Sequence, residues 1–240
     1  MIKKIIKKLF NQLGFELSRL TPIQNHQTIQ HKIDVILDVG ANTGQYALLT
    51  RKEGFNGRIV SFEPLPEAHK NLALNACKDS RWIIHPRCAI GSSSGSAEIN
   101  ISQNSFSSSI LPMLDTHSDA APESIYIGKV KTPIINVDSI YGKYCKPSDN
   151  VFLKIDTQGF EWEVLKGCHH TLKSIKAVQL ELSIIPLYEG QKLYPFFFDF
   201  FESNGFDLWT IIPGFRNQKT GQLLQFDAVF INKSMNNLFS

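Results

Sequence analysis

Residues 33–44, IDVILDVGANTG, constrain the fold more than any other stretch. An apolar run of strand length feeds directly into a turn with glycines at 40 and 44. QYALLTRKEG, which follows, reads as a helix closed by Gly54. A short apolar run bounded by turn signals fits a strand buried on both faces, as in parallel sheets whose crossover helices cover them. The pattern then repeats. GRIVSFEP is a second strand halted at Pro64, PEAHKNLALNAC a helix with Pro66 in its first turn, and WIIHPRCAI a third strand in which Pro86 favours an edge or a bulge. Further on come the strand NVFLKID, the helix EWEVLKGCHHTLKS with a possible break at Gly167, the strand AVQLELS and the helix KLYPFFFDFFESNG. FDLWTII and QFDAVFIN close the chain as two strands. Alternating strands and helices specify an α/β, doubly wound, largely parallel sheet. The final two strands have no helix between them, so that pair is expected to be antiparallel.

Between residues 91 and 132 the texture changes to a serine-rich stretch, GSSSGSAEINISQNSFSSSILPMLDTHSDAAPES and beyond, with weak helical signal. AEINIS and VKTPIINVDSI are candidate strands within it. The segment reads as an insertion that forms a lid over a site, or else as a plain surface excursion. At the other end, MIKKIIKKLFNQL places Ile2, Ile5, Ile6, Leu9, Phe10 and Leu13 on one helical face and four lysines on the other. Such a helix, within residues 1–20, suits an anionic membrane surface through residues 2–13, or packing against its own domain or a second subunit. A linker, 21–32, follows it, and 234–240 reads as a tail.

The 240 residues are enough for one domain burying roughly 70–75% of its unfolded surface. A formal charge of +3 gives no argument for a nucleic-acid partner. Cys77, Cys88, Cys145 and Cys168 are scattered without a CxxC pair and read as reduced thiols. With no apolar run of bilayer length and no signal-like start, the expected location is cytoplasmic, with peripheral contact at the inner face of the membrane as an option.

In a doubly wound sheet, ligands bind at the carboxyl ends of the strands where strand order reverses. The turn at 40–44 borders that crevice. It is not a dinucleotide fingerprint, because Asn42 holds the middle position and no third glycine follows, and it is not a P-loop, because no Gly-Lys-Ser/Thr closes it. Glu63, nineteen residues beyond Gly44 and at the tip of the second strand, is placed to accept from both hydroxyls of a ribose. By itself it would read as a solvated carboxylate. Together, turn and acid suit a nucleoside ligand without a pyrophosphate, and S-adenosylmethionine fits that description.

DVGANTGQYALL, VSFEPLPEAHKNLALN, CAIGSSSG, LKIDTQGFEWEVLKG, QLELS and QFDAVFIN resemble the successive motifs of the FkbM-type methyltransferases over about residues 33–232. The resemblance implies a class I, Rossmann-like S-adenosylmethionine-dependent O-methyltransferase domain, here 33–233, with seven strands and the last antiparallel. It implies cofactor contacts from Asp38, Gly40, Ala41, Asn42, Gly44, Glu63, Pro64, Cys88, Ala89 and Asp156, with Ile90 beside the adenine. The family's short serine motif maps onto Ser107, Ser108 and Ser109. The implied acceptors are hydroxyls of sugars, polysaccharide or glycolipid precursors, or related metabolites. One departure stands out: Gln158 and Phe160 replace an acid and a small residue in the fourth-strand motif, while Lys154, Asp156, Gly159 and Glu161 are kept.

Asp156 and Glu181, at neighbouring strand tips, are the candidate catalytic carboxylates. Asp156 is suited to take a proton, to hold the cofactor's amine, or, with Glu181, to bind Mg²⁺. A structural role for Glu181 is the alternative. His85 and His117 are further candidate bases; His169 and His170 are adjacent on a helix and cannot share a ligand. The aromatic run at 194–201 reads as core or as an acceptor platform. Two other readings compete with the transferase: a nicotinamide-dependent oxidoreductase, disfavoured by the missing GxGxxG, and a degenerate cofactor-binding protein that recruits a glycan-assembly partner.

Overall fold

The computed structural model describes residues 31–235. The amphipathic segment 1–20, most of the linker and the end of the tail lie outside the described residues. Seven strands form the main sheet: β1 (Val35–Val39), β2 (Arg58–Phe62), β3 (Trp82–Ile84), β7 (Val151–Ile155), β8 (Ile175–Ser183), β9 (Phe206–Pro213) and β10 (Gln225–Asn232), in the order β3-β2-β1-β7-β8-β10-β9. β1 pairs in parallel with β2 on one side and β7 on the other, and this is where strand order reverses. β10 slots between β8 and β9, antiparallel to both. The expected doubly wound, seven-stranded sheet with its last strand antiparallel is the fold observed.

The period-two geometry of β1 sorts its side chains. Val35, Leu37 and Val39 join a core cluster with Val137, Val164, Leu165, Phe197 and Phe201, while Ile36 joins a second cluster with Ala47, Leu72 and Ala76. Helices α1 (Gln45–Lys52) and α2 (Pro66–Ala76) therefore cover one face. The other is covered by α4 (Val137–Tyr144), α5 (Glu161–Lys166) and α6 (Tyr194–Ser203). All five residues of β1 and of β7 are buried, as a doubly covered strand requires. The aromatic run of α6 is core: Phe197 and Phe201 are buried, and Phe201 stacks on Phe230 with ring centroids 4.2 Å apart. Among the described residues no helix is long and apolar enough to cross a membrane.

Three segments differ from the sequence expectation. The helix expected over EWEVLKGCHHTLKS ends at Lys166, before Gly167, so His169 and His170 lie in a turn. WIIHPRCAI is not one strand. β3 ends at Ile84, Pro86 lies in the break, and Ala89–Ile90 is a separate strand, β4, in a second sheet of order β4-β6-β5, with β5 at Gly95–Ser102 and β6 at Tyr126–Ile135. VKTPIINVDSI is not strand throughout either. β6 stops at Ile135, and Asn136 caps α4 by accepting from the Ser139 N–H at 2.8 Å. The 91–132 stretch thus contains β5, most of its partner β6 and a short helix, α3 (Asp115–Ala120).

Candidate active site

β1 and β7 end side by side, and the turn after β1 must pass close to β7. Gly40 makes this possible: its φ is +80°, and a Cβ there would lie 1.8 Å from the carbonyl oxygen of Asp156. Gly44, at φ +91°, would put a Cβ 2.6 Å from the Trp82 ring. Both glycines are thus needed for protein-to-protein contact, whatever binds above them. Asn42, also left-handed at φ +48°, lets its side chain fold back onto the Thr43 N–H at 2.9 Å.

Above these strand tips lies a cavity of about 260 Å³. Of the residues expected at the cofactor or the reacting centre, Gly40, Asn42, Glu63, Pro64, Cys88, Ala89, Asp156 and Glu181 line it. Asp38, Ala41 and Gly44 do not. Asp38 is completely buried under the site, accepting from Ser61 Oγ at 3.1 Å and lying 4.0 Å from Lys154 Nζ, so it supports the wall without forming it. Ala41 is buried behind the turn, and Gly44 faces Trp82. His85 and His117 are off the wall too. His85 packs its ring on Phe62 and beside Cys88. His117 sits in α3 between Tyr188 and Phe215, and burial lowers its pKa to about 4. Burial likewise pushes the Cys88 thiol up to about 12, which leaves it an apolar wall element.

Glu63 is buried, and each carboxylate oxygen takes one backbone N–H: Asn42 at 2.7 Å and Leu65 at 2.8 Å. Those bonds fix the carboxylate plane and leave each oxygen a second lone pair. Burial outweighs them electrostatically and raises the pKa to about 7. Beside it Leu65, Ala89 and Ile99 form an apolar cluster with Ile110.

At the other end, Asp156 is held from both sides. Lys154 Nζ donates to Oδ2 at 3.0 Å, and Gln158 Nε2 to Oδ1 at 2.8 Å. The same Gln158 nitrogen donates to Glu181 Oε2 at 2.7 Å, and Gln225 Nε2 donates to that oxygen at 2.9 Å. Gln158 accepts the Tyr188 hydroxyl at 2.8 Å through Oε1 and the Ser109 hydroxyl at 2.6 Å through its backbone carbonyl. It reaches all these partners from a left-handed backbone, φ +55°, which Gly159 at φ +95° continues. Glu161 anchors this turn by accepting from the N–H groups of Thr157 and Gly159. Burial raises Glu161 to about 7 and Asp227, which pairs with Glu181 across β10 and β8, to about 6. Burial first, then the charge of Asp156, drives Glu181 well above the usual carboxylate range.

This arrangement does not fit a divalent cation between Asp156 and Glu181. An amide nitrogen stands between them, and the lysine ammonium and a second amide take further acceptor positions. Among the described residues, no group of three or more His, Cys, Asp or Glu side chains is arranged to hold a metal. The cavity does suit a nucleoside. A fixed carboxylate stands at the tip of the second strand, an apolar flank lies beside it, and a second carboxylate faces the same space from β7.

Tyr188, Gln225 and Lys154 in their supporting roles, and Ser105 and Phe106 on the wall, escaped the sequence reading. Tyr188 comes from a loop position with no local motif, and Gln225 opens the QFDAVFIN strand without any local sign of its reach to Glu181. Ser105, which accepts from Asn42 Nδ2 at 3.3 Å, ties the serine-rich segment to the glycine turn two residues before the expected Ser107–Ser109, of which Ser108 and Ser109 line the cavity.

The methyltransferase FkbM domain matches residues 38–208 of the chain. The hexuronic acid methyltransferase AglP of Haloferax volcanii is 32% identical over 149 residues, which are 62% of this chain and 56% of that protein. The chain thus spans just over half the length of this curated relative. A Klebsiella pneumoniae structure described as a candidate O-methyltransferase superposes with a TM-score of 0.50 at 10% identity, covering 95% of this chain and 89% of that one, and it shares the fold. The methyltransferase FkbM structure from Methylobacillus flagellatus KT gives a TM-score of 0.47 at 14% identity, covering 82% of this chain and 43% of the other. With strand order, antiparallel final strand and family match in agreement, the chain belongs to the FkbM methyltransferase family.

Proposed function

We propose that the protein is an S-adenosylmethionine-dependent O-methyltransferase acting on a hydroxyl of a sugar or glycan precursor. One observation carries this reading: Glu63 at the tip of β2 and Asp156 at the tip of β7 line the same cavity at the point where strand order reverses. The hexuronic acid methyltransferase among its relatives supports a sugar as acceptor.

The residues that would hold the cofactor are Glu63, for the ribose hydroxyls, with Pro64, Leu65, Cys88 and Ala89 flanking the base, and Gly40 and Asn42 along the turn. When bound, S-adenosylmethionine supplies a methyl group already activated by a sulfonium. What remains for the protein is alignment, exclusion of water and proton removal. Alignment of an acceptor oxygen can be worth roughly 7–11 kcal/mol in favourable cases. Asp156 takes the acceptor's hydroxyl proton, a role typically worth ~10²–10⁴-fold. Lys154 and Gln158 keep its carboxylate in one orientation for that transfer. Glu181 acts through Gln158, holding the amide from its far side. No step passes through a metal.

Calorimetric titration with S-adenosylmethionine and S-adenosylhomocysteine, followed by transfer of labelled methyl to a panel of glycosides and glycolipids, tests the reading. Binding with transfer to a hydroxyl supports it. Binding with no transfer to any acceptor favours the cofactor-binding recruiter, and NADH binding with no S-adenosylmethionine binding favours the oxidoreductase.

A further inference from the structure

The two ends of the cavity differ in chemistry. Near Glu63 the wall is apolar, through Leu65, Ala89, Ile99 and Ile110. Near Asp156 it is polar and carries Gln158 and Glu181. None of the described residues lining the cavity is a lysine, an arginine or a histidine. Lys154, the cation at the polar end, has only 8% of its side chain exposed and is committed to Asp156 at 3.0 Å and Asp38 at 4.0 Å.

We propose that this end of the cavity selects an uncharged polyol, a neutral sugar presenting neighbouring hydroxyls, and rejects the carboxylate of a hexuronic acid. The proposal rests on the methyl-transfer reading and narrows its acceptor. It separates this protein from its Haloferax volcanii relative, which is described as a hexuronic acid methyltransferase.

The wall offers acceptors in surplus. Glu181 Oε1 accepts no hydrogen bond among the described residues, and each oxygen of Asp156 takes only one. Sugar hydroxyls are donors and satisfy such oxygens, whereas a uronate carboxylate donates nothing and needs a cation. It would also sit against the carboxylate of Asp156. The charge of Asp156 already contributes to raising Glu161, Glu181 and Asp227, and a further anion at this end adds repulsion with no partner to offset it.

The test uses protein loaded with S-adenosylhomocysteine and matched pairs of methyl glycosides: glucoside against glucuronide, galactoside against galacturonide. Saturation-transfer NMR with competition gives the affinities. In at least one pair the neutral member is expected to bind and its uronate to bind at least tenfold more weakly. Equal or tighter binding of the uronates, or no binding by any neutral member, would each overturn the proposal. A calorimetric titration of the same sample with S-adenosylhomocysteine separates the two levels. Loss of the sugar preference with cofactor binding intact removes only the neutral-sugar proposal, while absence of cofactor binding removes the methyl-transfer reading and the proposal with it.

Discussion

The side-chain amide of Gln158 donates to Glu181 Oε2 at 2.7 Å, and the same nitrogen donates to Asp156 Oδ1 at 2.8 Å. A neutral donor thus occupies the place between two carboxylates where a cation would otherwise be needed. Two outcomes follow. Turnover of the wild-type protein is expected to be unchanged by EDTA; loss of activity restored by Mg²⁺ would contradict the geometry. Gln158→Glu replaces the donor with a third carboxylate among like charges, and is expected to lower kcat by at least about tenfold and to shift the pH profile of kcat. An unaltered profile would mean that the amide bridge plays no part in turnover.

Asp156→Asn keeps the size and most contacts of the side chain but removes its capacity to take a proton. It is expected to lower kcat by ~10²–10⁴-fold with little change in S-adenosylhomocysteine affinity. Calorimetry and single-turnover kinetics on one preparation measure both quantities. Near-normal turnover would take Asp156 out of the chemistry.

Gly40→Ala tests how tightly the turn after β1 packs on β7. The added methyl would lie 1.8 Å from the Asp156 carbonyl, in a left-handed conformation. The expected destabilisation exceeds about 3 kcal/mol, and cofactor binding is expected to fail with it. Gly190→Ala is the control. It shares a positive φ, +73°, but has open space around the new methyl, so only the backbone term remains, about 1–2 kcal/mol. Equal urea midpoints for the two variants would refute the close approach.

Stability of the ligand-free protein is expected to fall as pH rises from 6.5 to 8. Glu63 and Glu161, raised chiefly by burial to about 7, hold their protons more tightly folded than unfolded. Their favourable contribution is therefore present at low pH and lost as pH climbs through 7, giving a decline of about 1–2 kcal/mol across this window. The lowered His31, His85 and His117 work the other way near 6.5, where their unfolded forms lose protons, and offset part of this decline at the low end of the window. Glu63→Gln is expected to remove its own share of the slope, less than about 1 kcal/mol across the window. Urea midpoints read at several pH values check this, and a rising curve would contradict it.

Much of the fold was legible because its signals are local. The apolar run 35–39, the glycines at 40 and 44 and the acid at 63 are each explained within a few residues of chain. Helix α4 was missed because TPIINVDSI continues a β-branched run across the cap, and only the Asn136 side chain marks the change of period. WIIHPRCAI was joined into one strand because its apolar residues resume after Pro86, whereas the backbone has already left for the second sheet. The support of the candidate site was the least legible part. Gln158 reaches partners 23 and 30 residues away, Glu181 and Tyr188, and only the fold brings them together. The family resemblance implied Asp38 as a contact residue, but the strand's alternation turns its side chain beneath the floor.

The central claim is that one cavity grips an adenosyl group at Glu63 and presents its methyl toward Asp156. A crystal structure with S-adenosylhomocysteine tests it most directly. The account predicts both ribose hydroxyls within hydrogen-bonding distance of the Glu63 carboxylate and the sulfur turned to the Asp156 end. An adenosyl group seated elsewhere, or a sulfur facing away from Asp156, would contradict it.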